Sequence, residues 1–188
     1  ATEMQTNVAI YDELTATGTT ASTIMTVARP NVVDNSVLVL IAGKDDNDDV
    51  VVPAGWTEIN QLESSSGDDI TTGIWYRVVP DASVEPATYD FTGTDNGEEF
   101  SYWMGALINV DTSTPVDVAS VWTYNTNEAT PEASEITTVT NGALVLSAWY
   151  VFNDNEVVPP IYGWNTRADN VVGVINNFPV GDWVFEEN

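Results

Sequence analysis

The chain has 188 residues, 43% of them apolar, and it sets 29 Asp and Glu against four Lys and Arg, for a formal net charge of −25. That charge repels phosphate backbones and anionic bilayers, so nucleic-acid binding and membrane insertion are not expected. There is no Cys and no His, which excludes disulfides, thiol nucleophiles, His-based triads and thiolate or imidazole metal sites from this chain.

Strand signals then run along most of the sequence. Residues Thr6 to Leu14 carry the one weak helix signal. Ser36 to Ala42 (Ser-Val-Leu-Val-Leu-Ile-Ala) is a continuous apolar run, the pattern of a central strand buried on both faces. Trp56 to Asn60 alternates, and Ile70 to Val79 is rich in β-branched and aromatic residues. Strands are further predicted at Ala87 to Thr92, Phe100 to Val110, Val116 to Tyr124, Ala143 to Phe152, Val171 to Ile175 and Trp183 to Phe185. Turn chemistry separates them: Pro53-Ala54-Gly55, the Ser64 to Asp69 run, Gly93 to Gly97 and Asn141-Gly142. The fold class predicted is all-β: one domain over 1–188, a two-sheet antiparallel sandwich of jelly-roll type.

The sequence also aligns with itself. Asn35 to Leu40 matches Asn141 to Leu146 at an offset of 106, and Asn47-Asp48 and Val51-Val52-Pro53 match Asn153-Asp154 and Val157-Val158-Pro159 at the same offset. After a two-residue insertion, Gly55-Trp56 falls on Gly163-Trp164, and Gly73 and Trp75 on Gly181 and Trp183. The predicted organisation is two related halves, 35–79 and 141–187, joined by a polar crossover loop at 124–135. The second half ends before counterparts of the strands near Tyr89–Phe91 and Phe100–Val110. Three remedies compete: a longer natural chain, the N-terminal segment Ala1 to Leu14, or a strand donated by a neighbouring subunit.

Three groups of residues carry candidate chemistry. Asp45, Asn47 and Asp49 space oxygen ligands as at the start of a Ca²⁺ loop. Val50, where such a loop needs Gly, and Trp56, where it needs Glu, break the rest of that pattern. Trp56 and Trp164 could offer stacking faces to a glycan, against the alternative that both pack at the rim of the core. Acid pairs such as Glu98-Glu99 and Asp68-Asp69 alternate faces in a strand and do not meet the demand for two facing carboxylates. The chain is expected not to be an enzyme and to need no cofactor, with Ca²⁺ as the one candidate ion.

Four segments in series, Val52-Pro53-Ala54-Gly55-Trp56-Thr57, Thr72-Gly73-Ile74-Trp75-Tyr76-Arg77, Pro86-Ala87-Thr88-Tyr89-Asp90-Phe91 and Asp111 to Asp117, resemble a β-sandwich domain of tailed-bacteriophage virion proteins. Tail-fibre, head-fibre and capsid-decoration components carry such domains, as do secreted bacterial surface proteins. The resemblance implies an extracellular or virion-surface structural protein whose partners are copies of itself, other virion or filament subunits, or a host-surface glycan. It supplies no catalytic residues. A secreted adhesin or filament subunit joined by strand donation, and a carbohydrate-binding module, are the alternative expectations. Adaptation to salty water accounts for the charge in any of these settings, since salt screens the self-repulsion.

Overall fold

The computed structural model describes residues 7–45, 47–64, 70–120 and 135–147, with short strand segments at 165–166, 170–171, 179–180 and 184–187. The described residues form an all-β sandwich. Its strands are β1 (Ala9–Thr19), β2 (Ile24–Ala28), β3 (Ser36–Lys44), β4 (Thr57–Ser64), β5 (Ile70–Val79), β6 (Thr88–Thr92), β7 (Glu99–Ile108), β8 (Leu144–Ser147), β9 (Asn165–Thr166), β10 (Asn170–Val171), β11 (Pro179–Val180) and β12 (Val184–Glu187). A five-stranded antiparallel sheet, in the order β1-β7-β3-β5-β4, packs against the two-stranded sheet β2-β6.

The apolar run at Ser36–Lys44 becomes the central strand, and all nine of its residues are buried. One face, with Leu38, Leu40 and Ala42, joins Trp75, Met104 and Ala106 in a core closed by Met25 and Val27 of β2 and Tyr89 and Phe91 of β6. The other face, with Val37, Val39 and Ile41, joins Trp103 and Leu107, and Leu144 and Leu146 of β8 pack against it. A strand covered on both sides loses the polar alternation of a half-exposed one, which is why this sequence reads as unbroken apolar.

Two of the core indoles, Trp75 and Trp103, each sit over a glycine two residues away on their own strand. A Cβ at Gly73 would overlap the Trp75 ring, and one at Gly105 would overlap the Trp103 ring. The two pairs use opposite faces of the sheet, Trp75 toward β2-β6 and Trp103 toward β8. Gly73-Ile74-Trp75 and Trp103-Met104-Gly105 are therefore one packing device used twice.

The weak helix signal at Thr6 to Leu14 is corrected to strand. Ala9–Thr19 is β1, which pairs with β7 from Ala9↔Ile108 to Thr19↔Glu99. A bulge at Tyr11 hides the strand from a period-two reading. Before it, Val8 and Ile10 pack with the Trp103 face; after it, Ala16 packs with the opposite core. Strand β2 was not expected at all, although Met25 and Val27 point inward while Thr26 is exposed. The strand predicted from Val116 does not form over 116–120, where the chain bends at 117–118; Val121–Tyr124 lie outside the described residues. Thr112 and Ser113 follow Asp111, whose carboxylate accepts from the Ser113 N–H at 2.9 Å and the Thr114 hydroxyl at 2.8 Å, and this local bonding competes with any ladder.

The second half repeats the strand order of the first. The sheet β8-β12-β9 follows β3-β5-β4. The pairs Asn170↔Val180 and Val171↔Pro179 are Leu62↔Thr72 and Glu63↔Thr71 displaced by 108. Asn165↔Phe185 shares that register, so the bulge that offsets β4 at Ile59 is not reproduced in the net pairing of β9 with β12. Leu144 faces Glu187 rather than Phe185, the counterpart of Leu38↔Arg77. That is a slide of two residues, which leaves each side chain on its own face.

Candidate functional site

Two groups of polar side chains stand out. The first is a clamp at the end of β5. Asp81 caps the 3₁₀ turn Ala82–Val84 through the Ser83 N–H at 2.9 Å, and the Ala82 N–H bonds to Asp34 at 2.8 Å. The turn delivers Glu85, whose side chain is 3% exposed, beneath Arg77. The Arg77 guanidinium pairs with both carboxylate oxygens, and the Tyr89 hydroxyl donates to Oε1 of the same carboxylate. Arg77 also donates to the Ala54 carbonyl at 3.1 Å and lies 5.7 Å above the centre of the Tyr89 ring. Gly55 holds φ at +85° there, and a Cβ would overlap the guanidinium. Glu85 holds the Arg77 pKa above its ordinary value, and burial pushes the Tyr89 phenol up.

Trp56 belongs to this clamp. It is 6% exposed, and its ring meets Tyr89 at 5.0 Å and Phe91 at 5.3 Å, edge to face. Trp56 is therefore a core residue and presents no stacking face to a glycan. Trp164 lies outside the described residues. Three of the four resembling segments meet here: Ala54-Gly55-Trp56, Trp75 to Arg77 and Pro86 to Phe91. Arg29 reinforces the same corner by donating to the carbonyls of Pro86 at 2.7 Å, Pro30 at 2.9 Å and Glu85 at 3.1 Å. The motifs serve packing and internal pairing.

The second group lies at the opposite end of the strand, on the outer strand β4. The bulge at Ile59 places Glu58, Gln61 and Glu63 opposite Trp75, Gly73 and Thr71, on one face of the sheet. Gln61 bridges to the loop after β3: its amide donates to Asp49 at 2.8 Å and its carbonyl accepts the Val50 N–H at 3.0 Å. Asp49 is hydrogen-bonded to Glu63 and holds that carboxyl above its ordinary value, with desolvation and the charges of Asp49 and Asp48 adding and buried Lys44 opposing.

Of the proposed Ca²⁺ ligands, Asp45 closes β3 with its N–H on the Glu99 carbonyl at 2.9 Å, Asn47 is exposed, and Asp49 faces Gln61 and Glu63. Among the described residues no group of three or more acidic side chains is placed to hold a metal ion. Asp46, Asp68, Asp69 and the corresponding loop Asn153 to Glu156 lie outside them. The sequence marked this loop as acidic; it could not show that Gln61 and Glu63, from the next strand, would meet it.

The raised Glu63 pKa gives a stability prediction. A carboxyl whose folded pKa lies above its unfolded one disfavours the fold once both states are ionised, and stability rises as pH falls through the folded value. Glu63→Gln supplies Asp49 with a donor and removes the repulsion. We expect it to raise the melting temperature by about 1–2 °C at neutral pH and low salt. The gain should shrink near pH ~4 and in about 1 M NaCl. Differential scanning calorimetry across that grid checks it; a loss of stability at neutral pH would refute the repulsion between Glu63 and Asp49.

No family model, curated protein or solved structure matched the chain.

Proposed function

We propose that the chain is a non-enzymatic structural module of a phage virion surface, a decoration, tail or fibre component that contacts its neighbours through sheet edges and apolar contacts. The observation that carries this reading is the convergence of three of the four resembling segments on the Arg77–Glu85–Tyr89 clamp. The side chains of Arg77, Glu85 and Tyr89 are engaged with one another and, through Arg77, with the Ala54 carbonyl, which supports the reading of a scaffold. A secreted adhesin or filament subunit shares that scaffold logic. The carbohydrate-binding reading loses Trp56 as a platform.

Self-association should be weak at low salt, where copies of an acidic protein repel, and should strengthen in about 1 M NaCl, where the Debye length is ~3 Å. Sedimentation velocity of the full chain across salt, followed by co-sedimentation with phage particles, tests the reading. A monomer at every salt and concentration that never associates with particles would end it.

A further inference from the structure

The chain that leaves β3 crosses the open end between the two sheets before it enters β4. Val51 exchanges both backbone bonds with Thr92, the last residue of β6: its N–H donates to Thr92 at 2.7 Å, and its carbonyl accepts from Thr92 at 3.1 Å. This isolated bridge ties the two-stranded sheet to the loop of the five-stranded one. Val50 points inward and belongs to the same core as Trp56 and Phe91. Its N–H donates to the Gln61 side chain at 3.0 Å, and the Gln61 amide donates to Asp49 at 2.8 Å. The Thr71 hydroxyl of β5 donates to the Asp48 carbonyl at 3.3 Å. Asp48 to Val51 thus touch β4, β5 and β6 in turn. At Gly93, just past β6, a Cβ would lie 2.3 Å from the Asp49 carbonyl, so the crossing leaves no space for a side chain there.

We propose that Asp48 to Val51 form a strap that fastens the two-stranded sheet to the five-stranded one, pinned by Gln61, and that it releases as one unit at low ionic strength while the strands stay folded. Two features set it apart from the strands it joins. Its hydrogen bonds lie at the surface, with Asp49 exposed and Val51 56% exposed, whereas Leu38 and Leu40 on β3 are fully buried. Segments held by surface-exposed backbone bonds open locally at lower cost than a core strand. The second feature is charge. Asp49 stands against Glu63 of β4; Asp48 adds to that repulsion, and buried Lys44 offsets part of it. The repulsion pushes the strap off the strand to which Gln61 pins it. Salt weakens it, because the Debye length falls from ~30 Å at about 0.01 M to ~3 Å at about 1 M. The device belongs to the fold itself and is independent of the virion-surface reading.

Amide hydrogen exchange of the full chain, resolved by residue with NMR in about 0.01 M and about 1 M NaCl, tests this. The reporters are the N–H groups of Val50, Val51 and Thr92, each bonded across the strap. At low salt we expect the three to share one protection factor, well below that of Leu40. High salt should raise all three together. Glu63→Gln should raise them by about two- to fivefold at low salt and far less at high salt. Gln61→Glu, which removes the donor to Asp49 and adds a charge, should lower them by a similar factor. Glu58→Gln, at a carboxylate further along β4, should leave them unchanged, and so should Glu63→Gln for the Gly97 N–H, which bonds to Thr20 in a different loop. Near-UV circular dichroism of the tryptophans establishes that each variant is folded, and the salt series on the unchanged chain stands without any variant. Protection equal to that of Leu40, three reporters that respond separately, or no response to salt and to Glu63→Gln would overturn the proposal. None of those outcomes touches the sedimentation test, so the two readings can fail separately.

Discussion

Replacing Glu85 with Ala is expected to lower the unfolding free energy by about 3 kcal/mol, the lower end of the range for breaking a buried ion pair from one side. The lower end applies because Arg77 keeps 20% of its side chain exposed and can regain water. Arg77→Ala should behave differently. It leaves a carboxylate that is 3% exposed with the Tyr89 hydroxyl and no guanidinium. A buried carboxylate without its cation should cost this variant more than Glu85→Ala, toward the upper end of the same range of about 3–5 kcal/mol. Urea unfolding followed by tryptophan fluorescence separates the two losses. An Arg77→Met/Glu85→Leu double change should cost much less than the sum of the single losses, because it leaves neither charge behind. Additive losses would mean that the clamp does not act as a unit.

The second large effect belongs to the indole–glycine pairs. Gly105→Ala should destabilise by about 1–3 kcal/mol, because the new methyl overlaps a fully buried Trp103 ring that cannot move aside. Trp103→Ala should cost about 3–5 kcal/mol through the cavity it opens between β7 and β8. In the Trp103→Ala background, Gly105→Ala should become neutral or favourable, since the overlap is gone and Gly in a strand carries an entropic cost of ~0.5–1 kcal/mol. That reversal of sign, read from a double-mutant cycle, distinguishes steric contact from a backbone requirement at Gly105. The same cycle at Gly73 and Trp75 should give the same reversal.

Much of the architecture was legible where one physical signal dominates. Burial on both faces makes β3 an unbroken apolar run, and β-branched and aromatic density marks β5 from Ile70 to Val79. Strand β1 was misread because its bulge at Tyr11 swaps the inward face midway, so no single period describes it. Strand β2 is short, and its outward Thr26 and Ala28 give little contrast with Met25 and Val27. At the clamp, Gly55-Trp56, Arg77 and Tyr89 were visible as motifs, but Glu85 was one acid among 29. Only the turn capped by Asp81 singles it out, and that is a property of three dimensions. The pairing of Glu63 with Asp49 was hidden for the same reason: the two residues lie on consecutive elements, and only folding brings them together.

The repeated unit carries a sense of direction. Leu38 and Leu40 turn toward β2 and β6, whereas their counterparts Leu144 and Leu146 turn toward the rear of the first sheet. The corresponding side of each unit therefore rests on something different. Two units meeting through identical sides would form a closed pair with a two-fold axis. These instead follow one another front to back, as tiles do in a row. A relation of that kind has a leading and a trailing side, and it lets a row lengthen by repeating one contact without inventing another.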